Sequence, residues 1–232
     1  MEKNYNILFK YASRSRPAKF FIGLDNILAN LSNKENYCIL ISLDSDDTSM
    51  YNKVILERLK EYLVSYGDKI IIQFGTSKNK IDAINRDVNE IKERFNFDIL
   101  VNFSDDMAFT QFGFDDIIRN KFSIHFLDTN GNLHFNDGYA GDKISTMSII
   151  GRVYYEGFNY IYHPSYVSLW CDNEYTLIAQ KNNKIQYFEE QIFVHNHPSN
   201  IGGFVDEQLK NTESFSEVDY NNFINRQKNQ FQ

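Results

Sequence analysis

The sequence predicts an α/β fold built on a mostly parallel sheet, and three observations support that prediction. Strand-like apolar runs alternate with helical-period segments from residue 5 to residue 103. The run 37–43, Tyr-Cys-Ile-Leu-Ile-Ser-Leu, is apolar without alternation, as a strand covered on both faces must be. The first, second and fourth runs each end in a polar cluster, and parallel α/β sheets hold ligands at the carboxyl ends of their strands.

Residues 5–11 form the first strand, which ends in Ser13, Arg14 and Arg16. Pro17 suits the first turn of a helix, and Phe20, Phe21, Leu24, Ile27, Leu28 and Leu31 follow at helical spacing. The second strand, 37–43, ends in Asp44-Ser45-Asp46-Asp47-Thr48. A helix over 50–66 turns Val54, Ile55, Leu59, Tyr62 and Leu63 inward. The third strand, 69–74, closes on Gly75-Thr76-Ser77. A helix over 80–95 and a strand over 98–103 complete the series, joined by right-handed crossovers.

The second half mixes its elements. Strands are expected at 122–127 and 132–135 around the turn Asp128-Thr129-Asn130-Gly131, with a further turn at Asn136-Asp137-Gly138. An apolar stretch runs over 147–155. A helix follows Asp172 to about residue 180, then a strand over 184–188 and the run Ile192-Phe193-Val194 into His195-Asn196-His197-Pro198. No repeat or linker divides the chain. It reads as one unit over 1–203 with two lobes, 1–107 and 108–203, and a polar tail, 204–232, forming a marginal or mobile helix.

Composition narrows the classes. At 42% hydrophobic and 16% aromatic residues the chain can bury a core, which excludes a disordered protein. A net charge of −7 provides no electrostatic footprint for nucleic acid. Cys38 and Cys171 lie far apart, with neither a disulfide framework nor a metal-ligand spacing, as suits a reducing compartment. No apolar run approaches the ~18 residues that span a bilayer, and the N-terminal apolar segment is too short for a signal peptide. A soluble cytoplasmic protein is the expectation.

Five groups of residues could hold chemistry. Asp105 and Asp106, at the end of the fourth strand, are either an ordinary turn or a hard-oxygen site for Mg²⁺ or Mn²⁺. His195 and His197 are two imidazoles at i and i+2, of which an extended chain would present one to a given face. Asp172 is either the N-cap of the helix that follows or, with Glu174, a carboxylate able to accept a proton from a bound hydroxyl. Asp44, Asp46 and Asp47 could bind a nucleoside edge or cap a helix. Arg14, Arg16, Lys78, Lys80 and Arg86 could neutralise a diphosphate or simply be solvated.

The order of these pieces is similar to that of the family 2 glycosyltransferases with the GT-A fold. The matching segments are a strand running into Asp44-Ser45-Asp46-Asp47-Thr48-Ser49, Gly75-Thr76-Ser77 with Ala83-Ile84-Asn85-Arg86, Ser104-Asp105-Asp106, Cys171-Asp172 and His195-Asn196-His197-Pro198. The likeness runs from about residue 5 to residue 198, and the wording also resembles compact members encoded in tailed-phage genomes, which would act in the host cytoplasm. Three motifs depart from the family pattern. Ser104 stands where the DXD-type motif has its first aspartate, Cys171 where the Glu-Asp motif has its glutamate, and the glycine after Asp-Asp is replaced.

The resemblance implies inverting transfer from a nucleotide-sugar, a UDP-sugar, with residues 1–107 binding the donor and 108–203 the acceptor. It implies that Asp44 contacts the base and that Tyr11 stacks on the uracil. Ser13, Arg16, Lys78, Arg86 and Asp105 would complete the donor site. Asp106 with His195 or His197 would hold Mn²⁺ or Mg²⁺. Asp172 would be the catalytic base and Glu174 a supporting acceptor contact. Tyr139, Tyr166 and Trp170 could form a sugar platform, and residues 136–146 a loop over the donor. The acceptor could be a glycan, a lipid-linked sugar, a protein or a modified DNA base. Two alternatives remain. One is a sugar-phosphate nucleotidyltransferase, disfavoured because residues 12–22 contain no glycine. The other is a non-catalytic glycan- or partner-binding protein.

Overall fold

The computed structural model describes residues 4–92, 94–202 and 205–232. In chain order its elements are β1 (Ile7–Ala12), α1 (Pro17–Asn30), β2 (Tyr37–Asp44), α2 (Lys53–Tyr66), β3 (Ile70–Gly75), α3 (Lys80–Asn85), α4 (Val88–Ile91), β4 (Ile99–Phe103), β5 (Met107–Phe109), α5 (Phe114–His125), β6 (Asn132–Phe135), β7 (Ile149–Gly151), α6 (Arg152–Glu156), α7 (Cys171–Lys181), β8 (Ile185–Phe188), β9 (Phe193–His195), α8 (Pro198–Ile201), α9 (Glu207–Ser214) and α10 (Ser216–Lys228). Seven strands form one sheet in the order β3-β2-β1-β4-β7-β6-β8. The first four are mutually parallel, β7 runs antiparallel to both neighbours, and β6 and β8 are parallel. The expected α/β architecture is therefore present, with β5 and β9 paired beside it as a separate antiparallel ribbon.

The sheet divides the core in two. Ile7, Phe9 and Tyr11 of β1 pack with Phe20, Leu24 and Ile27 of α1 and Phe114 and Ile118 of α5. Leu8 packs on the other face with Cys38, Leu40, Ile81, Val88, Leu100 and Tyr155. Strands β1, β2 and β4 are buried along almost their whole length, which is why their sequences lack a polar alternation.

Three expectations need correction. In α2, Val54 is 76% exposed and Leu63 39%, and Leu59 is the one fully buried position described there. This helix lies over the edge of the sheet, so its buried stripe is narrow. The expected helix over 80–95 is broken: Arg86 is extended and Asp87 takes a left-handed conformation with φ 71°, so α3 and α4 are separate. Residues 122–125 belong to α5 rather than to a strand, because Phe114, Ile118 and Phe122 line one helical face. The stretch 147–155 is a short strand followed by a helix, turning at Gly151, where a Cβ would lie 2.1 Å from the Thr129 carbonyl. The boundary expected at residues 203–204 lies outside the described residues, and the segment beyond it folds as α9 and α10.

Candidate active site

The polar clusters do gather beyond the carboxyl ends of β1, β2 and β4. One part of the site is built by the β5–β9 ribbon. Its register sets Met107 opposite His195, and Asn196 donates its backbone N–H to the Asp106 carbonyl at 2.7 Å. His195 is thereby held between two carboxylates, with Nε2 3.4 Å from Asp106 Oδ2 and Nδ1 3.8 Å from Asp137 Oδ2. Asp137 is buried and rigid, accepting the backbone N–H groups of Tyr139 and Ala140 at 2.8 and 2.7 Å and the Thr146 hydroxyl at 2.9 Å. Ser104, in the place of an acid, donates its hydroxyl to Asp106. Burial works to raise the pKa of Asp106, but the His195 and Ser104 hydrogen bonds outweigh it and hold this carboxyl well below the usual range. The His197 ring lies 5.7 Å from that of His195, and burial lowers its pKa.

Asp105 faces a different set of groups. Its carboxylate accepts the Ser13 hydroxyl at 2.9 Å and Arg16 Nη1 at 3.1 Å. Burial raises its pKa, against the pull of Arg16. Arg16 is shared, since Nε and Nη2 also form a two-pronged ion pair with Asp206 at 2.9 and 2.7 Å. Asp206 in turn caps α9 by accepting the Leu209 N–H. The C-terminal segment thus reaches the rim of the site, a contact that sequence reasoning missed.

A second part lies at the end of β2. Asp44 is buried and accepts Arg14 Nη1 at 2.9 Å and the Ser77 hydroxyl at 2.7 Å, with Arg86 Nη1 at 3.6 Å. The helix break at Asp87 directs Arg86 here, where Nη2 donates to the Leu43 carbonyl at 2.6 Å. Gly75 makes room for it, because a Cβ there would lie 2.0 Å from Arg86 Nη1. Beneath this pair the fully buried Lys10 donates to the Ser42 hydroxyl, which donates to Asp87. Asp47 organises its own loop through the N–H groups of Ser15 and Ser49, and exposed Asp46 pairs with Arg14. Lys78 is exposed, with its backbone N–H given to Asp82.

The third part is the start of α7. Trp170, with φ 63°, is the cap residue, so Asp172 lies inside the first turn and is free of the capping role weighed for it. Its carboxylate accepts the Asn173 N–H at 3.0 Å. Burial raises its pKa, opposed chiefly by the nearby charge of Lys80. Lys80 also acts on Asp106, so the Asp106–His195 pair and Asp172 share one electrostatic environment.

Two predicted residues lie outside this cleft. The Tyr11 ring is fully buried, stacked on Phe20 at 5.0 Å with its hydroxyl donated to the Phe20 carbonyl, and it presents no face to a base. Glu174 is buried and held by Arg226 at 2.7 and 2.8 Å and by the Tyr166 hydroxyl at 2.8 Å, which leaves it no reach to an acceptor. Tyr166 is equally buried and forms no sugar platform, and half-buried Trp170 packs against Tyr220 and Phe223 of α10.

Among the described residues no group of three or more His, Cys, Asp and Glu is arranged to hold a metal ion. Asp106 and His195 nevertheless suit a cation that takes one or two protein ligands and completes its shell with substrate phosphates. Asp137 on the far side of the imidazole matches the way ligating histidines are oriented by a carboxylate.

An α/β domain with a parallel half, an antiparallel return strand and acidic residues at the strand ends is the GT-A-like class of fold. Solved structures agree. The S. aureus TarS fragment 1–349 superposes with a TM-score of 0.60 at 12% identity, covering 84% of this chain and 62% of that one. The same fragment in complex with UDP-GlcNAc gives 0.58 at 12% identity, covering 92% and 66%. The mannosyltransferase PcManGT from Pyrobaculum calidifontis, in complex with GDP-Man and Mn²⁺, gives 0.58 at 11% identity, covering 81% and 55%. The chain therefore spans a little over half to two thirds of the length of these chains, and 38% of the longer S. aureus TarS chain. No family model and no curated protein sequence matches it.

Proposed function

We propose that the protein is a divalent-metal-dependent glycosyltransferase that moves a sugar from a UDP-sugar to an acceptor hydroxyl with inversion. The observation that carries this reading is the pairing of Asp106 with the Asp137-oriented His195 in the same electrostatic environment as Asp172. Asp44 and Arg86 offer an acceptor and a donor side by side to a nucleobase edge. Arg16 and the exposed Lys78 and Lys80 supply positive charge for the diphosphate. Asp106 and His195 would hold Mn²⁺ or Mg²⁺, which would supply positive charge to stabilise the departing nucleotide. Asp172, whose pKa is raised by burial, takes the proton of the acceptor hydroxyl as that oxygen attacks the anomeric carbon. A single displacement inverts that centre and needs no nucleophile from the protein.

The bound UDP-GlcNAc and GDP-Man of the structural neighbours support a nucleotide-sugar donor. In this reading residues 1–107 form the donor half and 108–203 the acceptor half. None of the described helices is long and apolar enough to cross a membrane. The test is calorimetric titration of UDP with Mn²⁺ and then with EDTA, on the native chain and on Asp106→Ala. Metal-dependent binding that the substitution removes is expected. Tight binding indifferent to both metal and substitution would overturn the metal site, and no nucleotide binding would overturn the activity.

A further inference from the structure

The C-terminal helix α10 buries very little apolar surface. Of its 13 residues Asp219 and Phe223 are the buried ones, and one of these is a carboxylate. A buried charge is costly unless hydrogen bonds satisfy it, and here they do. The Asp219 carboxylate, fully buried, accepts three successive backbone N–H groups, from Val167 at 2.9 Å, Ser168 at 2.8 Å and Leu169 at 2.8 Å. Those residues run directly into Trp170 and the first turn of α7. Trp170 is held in its left-handed conformation with its ring 4.7 Å from Tyr220 and 5.6 Å from Phe223, measured between centroids. Beyond the base, Arg226 grips Glu174 with both prongs.

We infer that α10 is a positioning element for the catalytic base, with Asp219 and Arg226 fixing the chain on either side of Asp172. The inference rests on the reading of Asp172 as that base. Contacts of this kind are directional: three converging N–H bonds specify the path of a loop, which an apolar contact would not. Asp172 itself is steadied by the N–H of its neighbour Asn173, so its aim depends on the backbone that carries it. Asp44, Arg86, Asp106 and His195 belong to other elements and bond to groups outside α10, so nucleotide binding is expected to be independent of the clamp.

The experiment compares the full chain with Asp219→Ala, Arg226→Ala and Arg226→Lys. The measurements are UDP release from UDP-glucose and UDP-GlcNAc, the Kd for UDP with Mn²⁺, and hydrogen exchange over residues 167–174. In both alanine variants kcat is expected to fall by about 100-fold, the scale of a misplacement of about 1 Å, with the UDP Kd within twofold. Exchange over 167–174 should quicken, and Arg226→Lys should recover part of kcat. An unchanged kcat, or parallel losses in kcat and UDP affinity, would overturn the clamp. If Asp219→Ala does not fold, the Arg226 pair decides the matter by the same criteria. If the native chain releases no UDP from either sugar nucleotide, the glycosyltransferase reading fails, and the clamp's catalytic role fails with it.

Discussion

Replacing Lys10 with methionine should stabilise the protein at neutral pH. Lys10 is fully buried in the middle of β1, opposite Leu40 on one neighbouring strand and Asn102 on the other. Its pKa falls from 10.5 to about 7, chiefly through burial, with Asp87 opposing, Arg86 adding to the fall and Asp44 opposing. The unfolded chain therefore binds a proton between pH 7 and pH 10.5 that the native chain does not. Stability must rise with pH across that window, and the lysine is most costly below it. At about 1.4 kcal/mol per pKa unit the full shift is on the order of 5 kcal/mol. Methionine keeps the aliphatic stem and abolishes that cost, but it forfeits the bond to Ser42, worth roughly 1–2 kcal/mol. The variant should gain about 2–4 kcal/mol at pH 7, and the gain should shrink towards zero by about pH 10. Urea unfolding of both proteins from pH 6 to pH 10 measures this. A variant less stable at pH 7 by an amount that does not change with pH would refute the reasoning. It would mean that Lys10 stays charged and is fully compensated by Ser42 and Asp87.

Further outcomes follow from the cleft. Asp172→Asn should lower turnover by about 10²–10⁴-fold and leave UDP binding intact. On the proposed mechanism, which needs Asp172 deprotonated, the acid limb of kcat/KM for the unsubstituted chain should lie above the ordinary aspartate range, because burial raises that pKa. Gly75→Ala should displace Arg86 from Leu43 and Asp44 and weaken UDP binding about tenfold by calorimetry, with a small change in Tm because a side-chain end gives way rather than backbone. Asp206→Asn should release Arg16 and tighten UDP binding several-fold. The pKa of Asp206 is lowered to about 2, first by Arg16, so its stabilisation is present above the unfolded value of 3.8 and is lost as pH falls towards 2. Asp206→Asn should accordingly cost about 1 kcal/mol at pH 7 in urea unfolding, a modest figure because the pair is partly exposed.

The parallel half was legible because each of its strands is local, apolar and closed by a polar cluster. Asp44, Asp105, Asp106 and Arg16 could be placed on one rim from that pattern alone. What escaped depended on distant partners. Asp137 sits in a turn and accepts N–H groups from its own loop, as turn aspartates do, and nothing nearby in sequence marks its approach to His195. Glu174 looked available until Arg226 of a helix expected to be marginal closed on it. Tyr11 lies at a strand end, but Phe20 covers it. The helix break at Asp87 has neither glycine nor proline to announce it. It is held by Ser42 and Arg86, contacts formed only once the sheet exists.

The β5–β9 ribbon has a consequence for how the protein is made. Asp106 emerges from the ribosome early, with the parallel strands, whereas His195 is added after most of the acceptor half. A nascent chain stalled at residue 180 would hold both rim aspartates, Asp137 and Asp172, yet lack the imidazole that links them. The Asp106–His195 pair thus forms late, and closing so long a loop is slow. On the proposed reading, the groups assigned to the nucleotide therefore come together before those assigned to the cation.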